Sequence, residues 1–183
     1  MDWEAFTLSL RLGGLTVLLL IPLAILAGRA LAVSQFRGKP AIEALVMLPL
    51  VLPPTVLGFY LLIVLGPRGF VGGTLESIGL THLAFSFEGI LLASVLYSMP
   101  FAVQPLHQAF SQLGRRPVEV ASALGANAVD RFFTVVLPLT RGGFVVAFTL
   151  TFAHTLGEFG VILMLGGSIP GETKVLSVLI YDH

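Results

Sequence analysis

Glu158 lies in the apolar run Thr155-Leu156-Gly157-Glu158-Phe159-Gly160-Val161-Ile162. An acid at the centre of a membrane helix costs roughly 2.5–3.5 kcal/mol on insertion scales, so such a residue is a functional candidate. Its negative charge would repel an anion. Two roles stay open: an acceptor for backbone N–H groups that fixes a helix break, or a gate. His154 precedes it and reads as a packing residue or a ligand. His82, His107, His154 and His183 show no ligand spacing, so no metal is expected. The hydroxyls of Thr55, Ser98 and Thr151 can meet a passing anion or pack between helices. No apolar segment carries paired acids or a nucleophile beside a base, which disfavours an intramembrane enzyme. The only Gly-Lys pair, Gly38-Lys39, is followed by Pro40 and lacks the earlier glycine of a phosphate-binding loop. Energy for any ATP-driven process must come from another chain. No cofactor is expected.

The elements that hold these residues are membrane helices. The 183 residues are 56% hydrophobic and 11% charged, against about 25% charged in a soluble domain. Mean hydropathy is +0.96. Such a chain cannot cover its apolar surface, so lipid is the expected solvent. Cysteine is absent, and net charge is zero with no basic run, so nucleic-acid binding is not expected. The start Met1-Asp2-Trp3-Glu4 is acidic, unlike a signal peptide, so the first apolar segment is expected to stay as a span.

Four spans are predicted, over about 8–33, 44–66, 89–112 and 132–156, in an all-α polytopic bundle. The fourth is weaker, because Arg141 stands near its start and His154 near its end. Arg141 can snorkel at the inner interface or guide an anion. Seven basic residues (Arg29, Arg37, Lys39, Arg115, Arg116, Arg131, Arg141) fall in or beside two links, against Arg11, Arg68 and Lys174 on the other side. The basic links are therefore expected in the cytoplasm, with the N-terminus outside and 67–88 as a glycine-rich outer loop. Four crossings also place His183 outside. The tail after Gly167 is too polar for a full span, and the apolar segment 175–181 stops at Asp182-His183. A chain lacking one more helix is expected.

Prolines interrupt two spans: Pro49, Pro53 and Pro54 in the second, Pro100 and Pro105 in the third. They are either tolerated bends or breaks lining a pathway. Candidates for a pathway or gate are Glu158, Phe159, Thr155, Pro53 and Pro54.

The link at 115–131 is more organised than a connection needs. Pro117 suits the first turn of a helix and Glu119 complements its dipole. Gly125 suits a C-terminal cap, and Asn127 caps a second helix with Asp130 three residues on. This predicts a helix-turn-helix at the membrane surface, read as a docking element.

Glu119, Ala121 and Gly125, followed by Leu137-Pro138, resemble the E-A-A signature of ABC importer permeases, with Ser122 where the second alanine is usual. Leu48-Pro49-Leu50-Val51-Leu52-Pro53-Pro54, Gly157-Glu158-Phe159-Gly160 and Ile169-Pro170-Gly171-Glu172-Thr173 resemble segments of the molybdate branch, which is akin to sulfate and tungstate permeases. The likeness covers nearly the whole chain and implies a type I importer permease fold with five spans. It implies that 119–131 fits a cleft on an ATPase subunit, with Glu119, Ala121, Ser122 and Gly125 as the coupling residues. The implied partners are a second permease copy, two ATP-binding subunits and an external oxyanion-binding protein, in a bacterial or archaeal cell membrane. Sulfate or thiosulfate is the alternative cargo. A channel would not need the docking element.

Overall fold

The computed structural model describes residues 3–182, so the expectations for the acidic start at Asp2 and for His183 lie outside the described residues. The described residues form helices and connecting turns. They are α1 (Trp3–Val33), α2 (Lys39–Val51), α3 (Pro54–Leu65), α4 (Phe70–Ser77), α5 (Phe87–Leu113), α6 (Arg116–Ala123), α7 (Ala128–Arg131), a π-helical turn (Phe132–Val136), α8 (Leu137–Gly157), α9 (Gly160–Gly166) and α10 (Leu176–Tyr181). Four helical stretches are long and apolar enough to cross a membrane: Trp3–Val33, Pro54–Ser77, Phe87–Leu113 and Ala128–Gly157.

The second differs from the expected span over 44–66. Pro53 disfavours helical geometry at the residue before it. Leu52 is accordingly extended, at φ −76° and ψ 134°. This splits the segment into α2 and α3, and Pro54 starts the new helix where a missing N–H costs nothing. The expected outer loop over 67–88 contains α4, joined to α3 by a turn in which Gly69 donates to the Gly66 carbonyl.

Helix α5 is the centre of the bundle, packed by α1, α2, α8 and α9. Towards the end that holds α6, Leu20, Ala24 and Leu31 of α1 meet Ala102, Val103, Leu106 and Phe110 of α5 and Ala147 of α8. Towards the other end, Leu8 and Leu12 meet Phe87, Ile90, Ile162 and Val178. Between apolar helices in lipid, association rests on close packing of small residues. A Cβ on Gly28 would sit 3.0 Å from the His107 backbone nitrogen, and one on Gly143 would sit 2.4 Å from the Ala109 Cβ. The outward faces are apolar: Leu18, Leu23 and Leu26 on α1 and Val145 and Phe148 on α8 are all more than half exposed. A bilayer or a partner subunit accounts for such surface.

Gly143 and its neighbour Gly142 provide an internal comparison. Nothing lies within 4 Å of a Cβ on Gly142. Gly143→Ala should force α5 and α8 apart and destabilise by about 1–3 kcal/mol. Gly142→Ala should be neutral or stabilise by up to about 1 kcal/mol, since alanine favours helix over glycine. Thermal unfolding of the two variants in detergent checks this. Equal losses would contradict the packing.

Candidate functional site

Two groups of candidate residues lie apart in the bundle, one beyond the end of α5 and one beside its middle, near Tyr97 and Ser98. At one end, α6 and α7 form the helix-turn-helix expected from the sequence. Gly125 has φ +89°, a left-handed conformation that glycine takes without strain. Its N–H donates to the Ser122 carbonyl (3.0 Å), and the Ala126 N–H reaches back to Ala121 (3.0 Å). This pair of bonds is a Schellman cap. The Asn127 side chain then accepts from the Val129 and Asp130 N–H groups, both at 2.9 Å, and starts α7. Arg131 Nη1 donates to the Ser122 hydroxyl at 2.6 Å and ties the two helices together. Glu119 is exposed on the first turn of α6, and Ala121 is half-buried. Val120, Leu124 and Val129 are 59%, 83% and 64% exposed. Together they form an exposed apolar knob on the helix pair.

From this element the chain runs without interruption into α8. Pro138 has no N–H to give to Thr134, so the ladder loosens into a π-helical turn in which Leu137 bonds five residues back to Phe132. The helical stretch Ala128–Gly157 is 30 residues long, about 45 Å at 1.5 Å per residue. It joins the helix pair directly to the second group.

That group surrounds the break between α8 and α9. Glu158 leaves the helix at φ −69° and ψ 123°. Gly160 packs on Pro54, where an added Cβ would meet the Pro54 Cβ at 2.9 Å. The breaks at Leu52-Pro53 and Glu158-Phe159 are thus brought side by side. A cavity of about 520 Å³ opens there, lined by Pro54, Thr55, Tyr97, His154, Glu158 and Phe159 among others. Pro54, Glu158 and Phe159 therefore come together, whereas Pro53 and Thr155 do not line the cavity.

Glu158 is only 4% exposed, and neither carboxylate oxygen has a hydrogen-bond partner. The backbone N–H donors considered for it are not there. Its backbone carbonyl, not its side chain, steadies the break, by accepting from Ser177 Oγ at 2.6 Å. Ser94 and Tyr97 face the carboxylate from α5. Neither was singled out in the sequence, although Ser94, Tyr97 and Ser98 share the three- and four-residue spacing of one helix face. No Lys or Arg lines the cavity.

Thr155 turns inward instead. Its hydroxyl donates to the Thr151 carbonyl (2.9 Å), so it accepts from Ser98 (3.1 Å). Ser98 has then spent its one proton, and His154 Nδ1 must donate to it across 3.0 Å. The chain of bonds fixes the histidine tautomer. The imidazole also stacks on Phe101 at 4.1 Å and tilts against Tyr97 at 5.0 Å, which is a packing role. Ser98→Ala should leave the His154 Nδ1–H without its acceptor and destabilise by about 1–3 kcal/mol. Thr16→Val, at a buried hydroxyl without a partner, should be neutral or stabilising. Unfolding midpoints of the two variants separate these outcomes.

Residues 20–182 match the family described as "Binding-protein-dependent transport system inner membrane component". The molybdenum transport system permease protein ModB of Azotobacter vinelandii is 53% identical over 182 residues, covering 100% of this chain and 80% of that protein. ModB of Escherichia coli K12 is 39% identical, over 98% of this chain and 79% of its own. The sulfate transport system permease protein CysW of Synechococcus elongatus is 33% identical, over 98% and 62% respectively. The crystal structure of a bacterial ABC transporter involved in the import of the acidic polysaccharide alginate aligns with a TM-score of 0.76 at 21% identity. It covers 98% of this chain and 66% of that one, and shares its fold. With four membrane-length helices and this match along nearly its whole length, the chain is a multi-pass membrane protein belonging to the family of binding-protein-dependent transport system inner membrane components.

Proposed function

We propose that this chain is the permease subunit of an ATP-driven importer that carries molybdate or tungstate across the cell membrane. The observation that carries the cargo is the greater full-chain likeness to relatives named for molybdenum than to the one named for sulfate. Sulfate or thiosulfate remains the second reading, favoured only by that weaker likeness. Two copies of the chain pair around a pathway. An ATP-binding subunit sits on each docking element, and an oxyanion-binding protein delivers cargo to the opposite face. The end holding α6 and the basic links is cytoplasmic, which puts the N-terminus outside.

The mechanism follows from the rod. Closure of the ATP-binding subunits moves Glu119, Ala121, Ser122 and Gly125, and the continuous helical stretch carries that motion to the break at Glu158. ATP and the binding protein then bias an equilibrium between inward- and outward-facing states. The cavity beside Glu158 and Phe159 works as a gate and not as a resting site. It offers an anion no cation and one acid, so it does not hold the cargo. Selectivity accordingly resides in the binding protein.

Labelled molybdate uptake with the cognate binding protein tests the cargo. Excess tungstate should suppress it and excess sulfate should not. Preferential uptake of sulfate would overturn the assignment. The docking element is tested separately with Glu119→Lys and Gly125→Arg in the complex with the ATPase subunits. Both should cut association and coupled hydrolysis by about tenfold or more, equivalent to ~1.4 kcal/mol. The unfolding midpoint of each isolated permease shows whether the bundle itself is intact. Survival of association and coupling would remove the docking role.

A further inference from the structure

A second cavity, of about 250 Å³, lies at the base of α6 where the ends of α1 and α5 meet it. Arg29 and Arg115 line it together with Glu119, and Val33, Leu113 and Val118 form apolar walls. Arg115 is held in place, with Nη2 donating to the Val33 carbonyl at 2.5 Å. Among the described residues Arg29 makes no hydrogen bond or ion pair, and Glu119 approaches neither arginine within ion-pair distance. The exposed residues Val120, Leu124 and Val129 do not line this cavity, although Glu119 of the same helix pair does.

We propose that this cavity binds the phosphate headgroup of an anionic phospholipid. A guanidinium presents paired donors to phosphate oxygens, and two arginines against one acid leave a net positive lining. The cavity is at the ends of two membrane-length helices, where headgroups are found, and basic pockets between helices on the cytoplasmic side are suited to them. The apolar walls favour a lipid over a free oxyanion, which shares the phosphate chemistry but has no chain to lay on Val33 and Leu113. A lipid seated there bridges α1, α5 and α6 and braces the helix that carries Glu119. The inference rests on the cytoplasmic placement of this end, and is independent of which anion is carried.

Native mass spectrometry of the full permease–ATPase complex tests it, after detergent washing in the presence of phosphatidylglycerol or phosphatidylcholine. Phosphatidylglycerol should be retained preferentially. Arg29→Gln should weaken that retention about fivefold. Arg37→Gln removes the same charge from a residue outside the cavity and should leave retention unchanged. Inorganic phosphate or molybdate at millimolar concentration should not displace the lipid. Equal retention of both lipids, an unaltered Arg29→Gln complex, an equal loss in Arg37→Gln, or displacement by the free anions would overturn the proposal. Failure here with molybdate uptake intact would leave the transport reading standing.

Discussion

A backbone amide at bilayer depth has no water to bond to, so each must be satisfied within the protein. That constraint governs where this chain can break its helices. At Pro53 the preceding helix is closed by the Leu52 N–H on the Leu48 carbonyl, and the next one is opened by Val56 and Leu57 on the Pro53 carbonyl. At Glu158 the freed carbonyl is taken by Ser177, and α9 starts with Leu163 donating to Phe159. Both breaks are placed against protein and against the same cavity. At Pro53 the flanking helix ends close their own hydrogen bonds, and at Glu158 a neighbouring element completes them.

Small residues then set how closely the elements approach. Gly160 lets α9 lie on Pro54, and Gly58 lets α3 lie on α9, where a Cβ would be 2.8 Å from the Met164 Cβ. Around α5, Gly28 and Gly143 do the same for α1 and α8. The outcome is a closely packed centre with two breaks beside the middle of α5 and a capped helix pair beyond its end. The stretch from Ala128 to Gly157 belongs to both. Its π-helical turn is the local consequence of Pro138 and leaves the helix continuous. Force applied at Ser122 and Arg131 therefore has a covalent and hydrogen-bonded route to Glu158 that does not depend on loop packing.

Much of this was legible in the sequence, because membrane helices are written in runs of apolar residues whose length is fixed by the bilayer. The helix pair over 115–131 was legible for a different reason: its caps are local, and Pro117, Gly125 and Asn127 each act within a few residues of themselves. The split of the second span was not read, although Pro53 carried the signal, because charge and hydropathy run smoothly through 44–66 while only the backbone changes. The surroundings of Glu158 were hidden because they are assembled from three distant segments. Ser94 and Tyr97 come from α5, Pro54 and Thr55 from α3, and Ser177 from the turn of α10. Thr155 was also a pathway candidate, but its hydroxyl is taken up by Ser98 and the Thr151 carbonyl beside the cavity.

The proposed transport cycle requires α7 and the break at Glu158 to move as parts of one rod. The chain contains no cysteine, so single labels can be placed at Val129 in α7 and at Ala153 near the far end of α8. Pulsed electron paramagnetic resonance on the assembled transporter would measure the distance between the two copies at each position, with and without trapped ATP. Both distances should change together. A shift at Val129 with Ala153 unmoved would contradict it.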